Sequence, residues 1–152
     1  MQAIITIIIL SITILLIGCQ PSEESQISEM TVEEMDKVYS DALASPKEFQ
    51  QEIKQTCAQF NSLLFEVAET IRMGARIWNA GGQPITIRLY EGVAYRVLYE
   101  IDDSCPKLTA AFKSGLRRAF SADTIDSQGR ALRETLDLIM GGPPVKPPGA
   151  SQ

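Results

Sequence analysis

The sequence predicts an all-α protein, a small helical bundle of four to five helices with one long central helix. Three observations carry that expectation. From Thr31 to Met140 apolar residues recur at steps of three and four, the spacing that keeps them on one face of a helix. Nowhere in that stretch do apolar and polar residues alternate over the length of a strand. Prolines and paired glycines punctuate it at intervals that suit helix starts and stops. At 152 residues the chain allows one domain at most. Its formal charge is −5, and it contains no histidine. That absence removes the commonest metal ligand and the usual general base near neutral pH, and with them most metallohydrolase, triad and phosphotransfer chemistry.

The 45% hydrophobic content is concentrated at the start, where Ala3 to Ile17 is interrupted only by Thr6, Ser11 and Thr13. As a helix these fifteen residues span about 22 Å, short of the roughly 30 Å hydrocarbon core of a bilayer. The length suits the apolar region of a secretory signal peptide. The run ends at Leu16-Ile17-Gly18-Cys19, which resembles the lipobox of bacterial lipoproteins: a branched apolar residue, a tolerant position, a small residue and the cysteine that carries lipid. The resemblance covers about the first twenty residues. It implies cleavage before Cys19, acylation of that cysteine, and a mature chain of 134 residues once 18 of the 152 are removed. Gln20 after the cysteine resembles an outer-membrane address in Gram-negative bacteria. The segment Met1-Gln2 departs from the pattern in carrying no lysine or arginine, so an uncleaved N-terminal anchor is the alternative reading. Residues 19–30 read as an acidic tether, polar and broken by Pro21.

The helical body is expected over residues 31–141. Thr31 with Glu34 forms a capping-box signature that opens a first helix, to about Ala44. Ser45-Pro46-Lys47-Glu48 is a second box with proline at the first helical position. From there Phe49, Ile53, Cys57, Phe60, Leu64, Val67, Ile71, Gly74 and Trp78 describe one long central helix, ended by Gly81-Gly82. Pro84 begins the next, with Ile87, Tyr90, Ala94, Val97, Leu98 and Ile101 on its core face. Pro106 begins another, with Leu108, Ala111, Phe112, Leu116, Ala119 and Phe120. A last helix opens near Asp126 or Ser127, gathers Leu132, Leu136, Ile139 and Met140, and stops at Gly141-Gly142. Residues 142–152 form a proline-rich tail with little to bury.

With Cys19 assigned to lipid, Cys57 and Cys105 are left as an even pair, and the oxidising compartment that the lipoprotein resemblance implies is where a disulfide is expected. Each lies 24 residues from Gly81, so an antiparallel hairpin about that glycine brings both to the same height. The alternative for Cys57 is a plain buried thiol. Two cysteines without a Cys-x-x-Cys spacing or a histidine make a poor zinc site, and no metal or cofactor is expected.

Residues 20–52 hold nine acidic and two basic side chains, a net of −7, while the rest of the chain is +2. This reads chiefly as a solvated tether and first helix, and the acidic total disfavours nucleic acid as a partner. At 100° per residue, Arg88, Gly92, Tyr95 and Tyr99 fall opposite the core stripe of their helix. Tyrosine and arginine are enriched at binding hot spots, so these four are the candidate partner-binding residues; the alternative is that a neighbouring helix covers them. Arg72/Arg76 and Lys113/Arg117/Arg118 have helical spacing and read as solvated faces, and Glu66 and Glu69 as surface charge. No catalytic constellation is found, and an enzyme ranks last. The expected function is that of a lipid-anchored envelope protein, held at the outer membrane facing the periplasm, that acts as an interaction or assembly factor by binding another envelope protein. Pilotin, entry-exclusion and immunity lipoproteins are analogues by size and location only. The alternative is a periplasmic module holding a small molecule or lipid among Phe49, Phe60, Phe65, Leu98 and Phe112. Mass spectrometry of the mature protein tests the leader: acyl mass on an N-terminal Cys19 is expected, and an intact Met1 with an unmodified Cys19 contradicts it.

Overall fold

Six α-helices, and no strand, are found among residues 30–101 and 105–142, the residues that the computed structural model describes. The expected signal peptide, Cys19, nearly all of the expected tether and the expected tail after Gly142 lie outside them. The helices are α1 Val32–Ala44, α2 Pro46–Thr56, α3 Phe60–Asn79, α4 Gln83–Ile101, α5 Pro106–Phe120 and α6 Ile125–Met140. No helix among the described residues is long and apolar enough to cross a membrane.

Most starts and stops follow the local chemistry. The Thr31 hydroxyl accepts from the Glu34 amide at 3.3 Å while the Glu34 carboxylate accepts from the Thr31 amide at 2.7 Å, completing the capping box of α1. The expected box at Ser45 does not form. Ser45 also ends α1: its amide is donated to the Asp41 carbonyl rather than to Glu48, its hydroxyl makes no cap bond, and α2 starts on Pro46. Thr124 caps α6 through a reciprocal pair with Ser127, which sets the start at Ile125, slightly before the expected position. Gly81 turns the chain between α3 and α4 at φ 86°, a conformation open to glycine at little cost.

The long central helix is two helices. At Cys57 the backbone turns extended (φ −108°, ψ 112°), α2 ends with the Cys57 amide on the Ile53 carbonyl, and α3 begins at Phe60. The break rotates the seam: Leu63, Val67, Thr70 and Gly74 are buried on α3, whereas Leu64 and Ile71 are only partly covered. It also gives the two pieces different neighbours, with α2 on α1 and α6 and α3 chiefly on α4 and α6. The central role passes to the end of the chain. Helix α6 packs against all five others, and α5 is buried along Leu108, Ala110, Ala111, Phe112, Ser114, Gly115, Leu116 and Ala119. Phe120, expected in that core, is instead 54% exposed at the last position of α5. At the α5–α6 crossing a Cβ on Gly115 would overlap the Thr135 hydroxyl, so the approach requires glycine.

Cys57 and Cys105 form the disulfide, with Cα atoms 5.5 Å apart and both residues buried. It joins the end of α2 to the residue that precedes α5 and encloses the α3–α4 hairpin. Closing a separation of 48 residues restricts the unfolded chain and stabilises the fold by up to about 4 kcal/mol on the chain-entropy model. The unreduced body is therefore expected to show no reactive thiol, and reduction is expected to lower the urea midpoint. Labelling of both cysteines before reduction contradicts the bridge.

Candidate functional site

Among the described residues, the outer face of α4 brings side chains with binding chemistry together with large exposed apolar surface. Helix α4 turns Thr86, Ile87, Tyr90, Val93, Ala94, Val97 and Ile101 inward. On the opposite side stand Arg88, Gly92, Tyr95 and Tyr99, all four exposed, and no helix among the described residues packs across them. Tyr99 is 87% exposed and Tyr95 52% exposed, and a Cβ added at Gly92 would meet nothing within 4 Å. The four candidate residues are thus brought together on an open surface.

Two residues join them that the sequence pattern did not single out. Ile85, one turn before Arg88, is 64% exposed on the same side. Phe120 reaches the face from the end of α5 and packs its ring against Tyr95, with centroids 6.4 Å apart and planes tilted by 34°. A signal for Ile85 lies in its step of three to Arg88, which extends the spacing of Arg88, Gly92, Tyr95 and Tyr99 by one position. Phe120 carried none, since its helical spacing matched the core stripe.

A buried carboxylate underlies the face. Glu91 accepts from Arg88 Nη1 at 2.9 Å through one oxygen and from Gln128 Nε2 of α6 at 3.1 Å through the other. The buried charge is thus hydrogen-bonded on both oxygens, and α4 is fixed against α6 beneath its outer surface. Arg88 itself remains largely in solvent, its side chain 82% exposed. Arg96 closes the flank, reaching Glu100 at 2.8 Å and Glu66 of α3 at 3.2 Å.

Three of the other basic positions, Arg72, Arg117 and Arg118, are engaged within the chain. Arg117 pairs with Asp36 of α1, and Ser114 donates to the same carboxylate. The Arg117 and Ser114 hydrogen bonds, in that order, hold the Asp36 carboxyl below its usual pKa. Arg118 lies 5.2 Å from the centroid of the buried Tyr39 ring, a cation–π contact that also ties α5 to α1. Arg72 pairs with Glu69 one turn away. These residues serve packing and surface charge balance.

The aromatic residues proposed to line a ligand cavity do not surround one space. Phe49, Phe60 and Phe112 are packed in the core, Leu98 is half-buried, and Phe65 is 73% exposed. An open cleft of about 210 Å³ lies elsewhere, between α1, α2 and the start of α5, with Val38, Ala42 and Phe49 beside Asp41, Glu48 and Glu52. Two of those carboxylates are paired, Asp41 with Lys37 and Glu52 with Lys107. No group of three histidine, cysteine or carboxylate residues able to hold a metal is found among the described residues.

Comparison with protein-family models, with curated proteins and with solved structures finds no match to this chain.

Proposed function

We propose that the protein is a lipid-anchored cell-envelope lipoprotein, held at the outer membrane and facing the periplasm, that works as an interaction or assembly factor through the outer face of α4. The leader ending in Leu16-Ile17-Gly18-Cys19 supports the anchoring. The observation that carries the rest is the exposure of Tyr95, Tyr99 and Phe120 side by side on a face with an unobstructed glycine. Exposed aromatic rings with hydroxyl tips beside an arginine supply the amphipathic contact area that protein interfaces concentrate at their hot spots. Because the core face of α4 is separate, this surface is free to bind without cost to folding.

The test is crosslinking and affinity capture with the lipidated chain in intact cells. Tyr95→Ala and Tyr99→Ala together are expected to weaken capture by about thirtyfold or more, as loss of a hot spot worth about 2 kcal/mol does, while the melting temperature stays close to that of the parent. Undiminished capture contradicts the proposal, and so does a variant that no longer folds.

A further inference from the structure

We infer that the partner seated on the outer face of α4 is the same helix of a second copy of this chain, crossing antiparallel about a two-fold axis through Gly92. The inference rests on the reading of this face as a protein-contact surface. Ile85, Arg88, Gly92, Tyr95 and Tyr99 are spaced by three, four, three and four, and at 100° per residue they fall within an arc of about 80°. That is the seam of a coiled coil, and it lies on the side of α4 that no helix among the described residues covers.

The seam is self-complementary about Gly92. Ile85 and Tyr99 each lie seven positions from it, on opposite sides, and Arg88 and Tyr95 lie four before and three after. In an antiparallel pair Ile85 of one copy meets Tyr99 of the other, Arg88 meets Tyr95, and Gly92 meets Gly92. Each layer is chemically matched: aliphatic on aromatic, guanidinium on a tyrosine ring, and two backbones where no side chain intervenes. Since a Cβ at Gly92 has open space around it within the chain, packing inside the bundle does not account for glycine there, whereas a close helix crossing does. A parallel pair would instead set Arg88 against Arg88. An isologous contact requires this kind of match, in which one patch recognises itself.

The exposed area, if wholly covered by the second copy, reaches the low end of a standard interface. With about 200 Å² for a whole aromatic side chain, Tyr95, Tyr99 and Phe120 together present about 400 Å² at their observed exposures. Ile85 and Arg88 raise the face to roughly 700 Å² per copy, close to the ~800 Å² per partner of a standard interface. Phe120 lies at the edge, beside the Tyr95 ring that would receive Arg88.

A photo-crosslinking amino acid in place of Tyr99, in the full chain in its native membrane, tests the inference. At 87% exposure the replacement leaves the fold intact, which a melting curve checks. The expected product is an adduct of two copies, joined from position 99 to the neighbourhood of Ile85, and its yield is expected to fall roughly tenfold with Arg88→Gln, which removes two cation–π contacts while keeping a side-chain donor for Glu91. A Gly92→Cys chain is expected to give, on mild oxidation, a dimer linked through the two 92 positions. An adduct with a different protein overturns the second copy as the occupant and leaves the contact face standing. No adduct with any protein overturns both.

Discussion

The crossing of α5 and α6 at Gly115 and Thr135 is the constraint on which the arrangement of the other helices depends. With no Cβ at Gly115, the backbone of α5 lies directly against the Thr135 side chain. The Thr135 hydroxyl donates to the Ala131 carbonyl at 2.7 Å and lies 3.5 Å from the buried Tyr39 hydroxyl, so α1 meets the pair at the same level. Burial raises the pKa of Tyr39, and its phenol stays neutral and available as a hydrogen-bonding group. Around this pair α1 is fastened to α5 by Asp36, Ser114, Arg117 and the stacking of Arg118 on Tyr39. Helix α4 is fastened to α6 by Glu91 and Gln128. The disulfide then closes the end of the bundle that these contacts leave to the chain's own connectivity.

Such an arrangement fixes which surfaces remain. Helices α5 and α6 have most of their circumference inside, and α3 turns Leu63, Val67, Thr70 and Gly74 toward its neighbours. Helix α4 lies at the periphery, packed on α3, α5 and α6 through one side only, and so its second apolar seam is left in solvent. The carboxylate of Glu91 couples the two sides, since Arg88 on the outside and Gln128 on the inside hold the same group. A contact on the outer seam is therefore made on a helix that is already rigid, which lowers the ordering cost of binding.

The helix boundaries were largely legible in the sequence because they rest on local chemistry. Pro46, Pro84, Pro106 and the Gly81 turn stand where the helices start or change direction, and the even pair of cysteines left after Cys19, together with equal chain lengths on either side of Gly81, pointed to the Cys57–Cys105 bridge. What was not legible depends on tertiary packing. The step from Cys57 to Phe60 has helical spacing, so periodicity passes through the break; only the requirement that Cys57 meet Cys105 and that α2 and α3 serve different neighbours ends the helix there. Ser45 carries a capping signature, yet its amide is consumed by the preceding helix. Phe120 shares the spacing of the α5 core and differs from it only in lying past the edge of the bundle. The tyrosine face was legible as a position on a wheel, but its exposure is set by how α5 and α6 are placed.

Two glycines distinguish the interior from the surface in this account, and urea unfolding of Gly115→Ala and Gly92→Ala in dilute solution measures the difference directly. Gly115→Ala is expected to lose about 1–3 kcal/mol, because Thr135 must move in a full core. Gly92→Ala is expected to lose nothing and to gain up to about 1 kcal/mol, as alanine does in an unobstructed helix interior. A loss at Gly92 as large as that at Gly115 would contradict the account, since it would mean that the outer seam of α4 is part of the core.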